Sequence, residues 1–145
     1  MPFPAPGKRS FRQMFEAVRT RTGMYVPGER YWEVAALVLG YDLACEGGVL
    51  AGFREWMVVR VGLGNNLAWP ALVLAVAFPD AVDPLEAVQA SGASQRHAID
   101  VMFRLIGEFD DARGNQDGLR KIYLEHERWL RSQEWYGPQS PDWIE

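Results

Sequence analysis

Two histidines bound any imidazole chemistry this chain could perform. His97 stands three residues before Asp100, and His126 lies between Glu125 and Glu127, so each ring comes within helical reach of a carboxylate, as a general acid or base requires. Both positions also carry plainer readings. His97 falls where a helix surface is expected, and His126 falls on an apolar stripe, where a ring held by one hydrogen bond suffices. Cys45 ends an apolar segment beside Glu46, the setting of an inert buried thiol rather than a nucleophile. One thiol and two imidazoles make neither an internal disulfide nor a structural zinc site. Glu108, Asp110 and Asp111 cluster as cation ligands would, but without the glycine-centred spacing of a calcium loop they read as the solvated end of a helix. No cofactor and no metal are expected.

Binding features are clearer. Of six tryptophans, Trp32, Trp56, Trp69 and Trp129 sit in helical or apolar contexts that a core accounts for. Trp135 and Trp143 lie in "SQEWYGPQSPDWIE", a polar, proline-bearing tail where a large aromatic either docks back on the domain or meets a partner. With Tyr136 beside them and Glu108, Asp110 and Asp111 upstream, they form a candidate surface for another protein. A basic partner such as a nuclease toxin suits it, with acids steering encounter and aromatics holding the complex.

These groups need a scaffold, and length and composition restrict it. A chain of 145 residues, 48% apolar and 23% charged, matches one helical domain over 1–145 with 1–9 and 137–145 as tails. No apolar run approaches the roughly 18 residues of a membrane span, and "MPFPAPGKRSF" reverses the order of a secretory signal. A cytoplasmic chain with no membrane partner is expected. Basic residues gather at Lys8, Arg9, Arg12, Arg19 and Arg21 in a chain of net charge -4, too small a patch for nucleic acid. A homo-oligomer stays open.

Helical signals run through the whole chain. Ser10 and Gln13 form a capping box ahead of Phe11, Met14, Phe15 and Val18, which predicts a helix over 11–20. Over about 29–46 apolar residues lie nearly all round the wheel, with Tyr31, Val34, Ala35, Val38 and Tyr41 on one side and Trp32, Ala36, Leu39 and Leu43 on another. That pattern predicts the central helix of the fold. Between these two helices Gly23, Pro27 and Gly28 turn the chain, and Met24 and Tyr25 are expected to fill the gap as anchors.

Gly47-Gly48 stop the apolar helix, and "GFREWMVVRVG" makes a third with Phe53, Trp56 and Met57 inward. "LAWPALVLAVAFPD" reads as a helix because Pro70 suits a first turn and the alanines disfavour a strand. Asp83-Pro84 opens a short one. Ser91 or Ser94 caps a sixth with Ile99, Met102, Phe103, Ile106 and Phe109 as its stripe, and Asp117 caps a last helix over about 118–136 with Leu119, Ile122, Tyr123, His126, Trp129 and Leu130. No alternating strand pattern survives. The expected fold is all-α, a compact irregular bundle of about six or seven helices around the helix at 29–46.

"EAVRTRTGMY", residues 16–25, resembles the Arg-x-Arg-Pro-Gly-Met-Tyr element of gyrase B type GHKL ATPases. That family places a water-activating glutamate on the next helix and a magnesium-holding asparagine four residues on. Here Glu33 is followed by Leu37, so ATP binding is not expected. A second resemblance covers Arg19 to about Phe78. The Met-Tyr strap, the Gly40-Tyr41-x-x-Ala44 ending, "GGVLAGFREWMVVRVG" and "NNLAW" look like small bacterial proteins, common in actinobacteria, some of which are encoded beside polymorphic toxin genes and taken for immunity proteins. This resemblance implies a non-catalytic protein that binds and neutralises a toxin, and it assigns no site residue. A small enzyme using His97 or His126 as general acid or base is the alternative.

Overall fold

A computed structural model describes residues 10–114 and 116–140. Eight helices and no strand occur among them: α1 (Phe11–Thr20), α2 (Thr22–Tyr25), α3 (Tyr31–Ala44), α4 (Phe53–Val61), α5 (Trp69–Ala77), α6 (Pro84–Ala87), α7 (Gly92–Arg113) and α8 (Gln116–Arg131). The all-α bundle expected from periodicity is the fold observed. None of these helices is long and apolar enough to cross a membrane.

The expected caps set most of the boundaries. Ser10 accepts from the Gln13 amide while the Gln13 side chain accepts from the Ser10 amide, which satisfies two orphan donors at the start of α1. Asp83 accepts from Leu85 and Glu86 ahead of Pro84, and Ser91 accepts from Ser94 at the head of α7. One expected cap is displaced: Asp117 lies within the first turn of α8, which begins at Gln116 and ends at Arg131 rather than near 136.

The centre of the fold is α7, not the helix at 29–46. Ala98, Ile99, Val101, Met102, Phe103, Leu105, Ile106 and Phe109 are all buried along it, and α1, α3, α4, α5 and α8 each pack against it. Phe15 meets Phe103 with ring centroids 5.7 Å apart, and Phe53 bridges to Phe109 at 5.3 Å and to Trp69 at 5.5 Å. Burying these large side chains is the main stabilising term.

Helix α3 lies at the edge. Tyr31, Val34, Ala35 and Val38 are buried on one side, while Leu43 on the other is 75% exposed and Trp32, Leu37 and Leu39 are exposed as well. Its buried side is firmly held. The Tyr31 hydroxyl donates to the Pro70 carbonyl at 2.5 Å, and the Tyr31 amide donates to Gln95 Oε1 at 2.7 Å, so one residue ties α3 to both α5 and α7. Asp42 then accepts from the Val49 and Leu50 amides and pins the loop beyond.

Two more expectations are corrected. Met24 is 76% and Tyr25 43% exposed, because the strap coils into the helical turn α2, and the i, i+4 spacing turns Thr22 and Val26 inward instead. The buried Thr22 hydroxyl donates to Val18 O and accepts from Arg96 Nη1, both at 2.8 Å. Cys45 is exposed at the C-cap of α3 rather than buried. Among the described residues no element covers the apolar pattern around it on that side.

Gly52 joins the loop to α4 at φ 88°, and a Cβ there would lie 2.7 Å from Leu119 Cδ1 of α8. Gly52→Ala therefore combines a left-handed backbone penalty with overpacking and should cost about 2 kcal/mol or more in urea unfolding. Gly92→Ala, in open space on the first turn of α7, should be neutral or slightly stabilising. Equal losses in the two variants would contradict the close α4–α8 approach.

Candidate partner-binding surface

The acids near the C-terminal end of α7 serve first as struts. Glu108 accepts from Arg60 of α4 at 2.7 Å, with Arg104 at 3.7 Å; Asp110 accepts from Arg113 at 2.6 Å, with Arg12 at 3.6 Å. Asp111 accepts from Arg12 of α1 at 2.8 Å. These pairs tie α1 and α4 to α7, and each acid has a cation beside it. Asp111 still keeps 72% of its side chain exposed. Arg113 is the most buried of the cations: it also donates to Val49 O at 2.7 Å and lies over the Phe109 ring at 4.9 Å.

The aromatic part of the candidate surface forms a ladder at the end of α8. His126 stacks on Trp129 with centroids 6.2 Å apart and planes 17° from parallel, and Trp135 meets Trp129 edge-on at 6.2 Å. Tyr136 stands edge-on to Trp135. The chain folds back after α8, where Ser140 Oγ accepts from the Gly137 amide and Gln133 Nε2 donates to Trp129 O. Even so, Trp135 remains 56% exposed. Trp143 lies outside the described residues.

Beside this ladder runs a cleft of about 540 Å³, walled by Trp129, Gln133 and Trp135 on one side and by Leu63, Asn65 and Asn66 on the other, with Arg54 at its border. The opposite wall is a loop shaped by two left-handed glycines. Gly62 caps α4 by donating to Val58 O at 2.8 Å, and a Cβ on Gly64 would come within 2.7 Å of Leu72. Arg54 Nε holds the loop's far end by donating to Leu67 O at 3.1 Å. Sequence reasoning missed the cleft. Its signal was the Asn65-Asn66 pair, two hydrogen-bonding amides set between apolar helices.

His97 does not turn to Asp100 in the way an acid–base pair would. His97 Nε2 donates to the Ala77 carbonyl at 2.9 Å, and its ring meets Phe78 edge-on. His126 Nε2 lies 3.0 Å from Asn65 Oδ1, which requires the proton on Nε2. Asp100 turns instead to Arg96, one helical turn on the N-terminal side, with Arg19 of α1 at 3.7 Å. Hydrogen bonding from Arg96 holds the Asp100 carboxyl below its ordinary range against the opposing effect of partial burial, and the Arg19 charge adds to the lowering. Burial alone pushes the Tyr31 phenol well up, and burial together with Glu55 raises Tyr123. Among the described residues no group of three or more His, Cys, Asp or Glu is placed to hold a metal ion.

Comparison with known protein families, with curated proteins and with solved structures finds no match to this chain.

The Arg19–Asp100–Arg96 cluster has a definite pH signature. Because the folded carboxyl is depressed, its stabilisation is present above the unfolded value near 3.9 and is lost as pH falls through the folded value. Asp100→Asn should lower stability at pH 7 by less than about 1 kcal/mol, given the exposure of the cluster, and the gap to wild type should close near pH 2. Thermal melts at the two pH values check this. A gap of equal size at both would show that the carboxylate charge is not involved.

Proposed function

We propose that this chain is a non-catalytic protein-binding protein, an immunity protein or antitoxin that neutralises a bacterial toxin. The observation that carries the reading is Trp135, a large aromatic more than half exposed beside a cleft with apolar and neutral amide walls. Such a cleft suits an apolar or aromatic side chain of a partner, with Asn65, Asn66 and Gln133 as hydrogen-bonding orienters. Covering the exposed part of one tryptophan supplies about 2–3 kcal/mol, the size of an interface hot spot.

Asp111 fits the same reading as the exposed acid that steers a basic partner, whereas Glu108 and Asp110 contribute mainly by holding α4 and Arg113. The toxin as partner rests on the likeness over Arg19 to about Phe78 to small proteins encoded beside toxin genes. Both histidines have backbone or amide partners, which favours structural roles for them.

The test begins by looking for a toxin-like gene adjacent to this one, whose absence would count against the toxin reading, and then uses its product. Wild-type protein should protect cells from that product and bind it, and Trp135→Ala should raise Kd by about 30-fold, mostly through faster dissociation. Asp111→Arg should slow association several-fold at low salt and much less at high salt. An unchanged Kd with a lowered Tm for Trp135→Ala would assign the tail to the core and sink this surface. A reaction lost in a folded His97→Ala or His126→Ala variant would overturn the non-catalytic reading.

A further inference from the structure

We infer, on the reading that the Trp135 cleft receives a partner, that the segment entering it carries a carboxylate beside its apolar side chain and that Arg54 selects that carboxylate. The half-buried arginines among the described residues are Arg19, Arg54, Arg96 and Arg113. Arg19 and Arg96 meet Asp100, and Arg113 meets Asp110. Arg54 alone of this set makes no ion pair among the described residues, although a guanidinium drawn partly out of water is ordinarily given a counter-charge. Its head is nevertheless fixed in place. Nε donates to Leu67 O at 3.1 Å, which leaves the donors of both Nη groups for something else.

The rest of the cleft agrees with that charge. Among the described residues that line it, Arg54 is the only charged one, and no Asp or Glu stands in its walls. Trp129 and Trp135 supply an apolar face. Gln133 donates through Nε2 to Trp129 O and to Ser132 Oγ, both at 3.1 Å, so its Oε1 is left to accept an N–H. A cation with free donors, an aromatic wall and an acceptor together match an acidic residue next to an apolar one in a peptide. The carboxylate meets the guanidinium, the apolar side chain lies on the tryptophans, and a backbone N–H reaches Gln133. A purely apolar occupant, or a neutral sugar, would cover Arg54 without compensating it. Asp111 lines no part of this cleft. A partner that is basic overall can therefore meet Asp111 with one patch and present a single acid to Arg54 with another.

The probes are N-acetyl-Asp-Trp-amide and N-acetyl-Asn-Trp-amide, which differ in one charge, titrated into the isotope-labelled full chain while NMR follows the Trp135 indole and Arg54 Nε signals. The acid peptide should bind in the low millimolar range, about tenfold more tightly than the amide peptide at low salt, and added salt should narrow the gap. Arg54→Gln should bring the acid peptide down to the affinity of the amide peptide. Arg54→Lys, which keeps the charge but not the fork, should retain roughly a threefold preference. Equal binding of the two peptides to wild type overturns the carboxylate while the cleft remains a peptide site. A preference that survives Arg54→Gln overturns the role of Arg54. Absence of any Trp135 shift with either peptide up to about 20 mM overturns both the inference and the cleft reading beneath it. If Arg54→Gln loosens the loop, seen as a lowered Tm, the wild-type comparison of the two peptides and its salt dependence still decide.

Discussion

The fold depends on one long buried surface, the side of α7 that runs from Ala98 to Phe109. Five other helices have their apolar sides against it, and little else connects the first third of the chain to the last. Removing a side chain there would loosen several contacts at once, because interiors this dense relax only partly around a void. The arginines follow the same geometry. Arg12, Arg19 and Arg60 each reach from another helix to an acid on α7, so the polar layer repeats the arrangement that the apolar layer sets.

What could be seen in the sequence was what depends on neighbours along the chain. The Ser10–Gln13 box, the Asp83-Pro84 start and the stripe Ile99, Met102, Phe103, Ile106 and Phe109 are local patterns, and each appears where expected. What could not be seen was which apolar faces would find cover. Residues 31–44 read as central because nearly every position tolerates burial, but tolerance does not supply a neighbour, and the chain places α7 there instead. Met24 and Tyr25 failed for the complementary reason. One extra helical turn exchanged inward for outward, and Thr22 took the buried place through hydroxyl bonds that no hydrophobic scale anticipates. Trp135 and Tyr136 are neighbours in the sequence itself, whereas the glycine-shaped loop beside Trp135 became visible only in three dimensions.

The chemistry follows from partners more than from residue types. An imidazole three residues from a carboxylate suggested proton transfer, yet Arg96 and Arg19 claim Asp100 while Ala77 engages His97. Cations on neighbouring helices thus convert several sequence-level candidates into braces between elements. Outward lie the acid Asp111 and, among large apolar side chains, Trp135, Trp32 and Leu43.

The clasp between α1 and α7 also has a temporal side. Arg12 and Asp111 stand 99 positions apart, and a ribosome adding about 5–20 residues per second needs roughly 5–20 s to cover that distance. Throughout that interval Phe15 and Val18 have no α7 to rest on. Helix α1 thus waits for its main partner, with Tyr41 of α3 the earlier-made ring that can cover Phe15 in the meantime, and the partly sheltered apolar side of α1 is the kind of exposure that holdase chaperones act on.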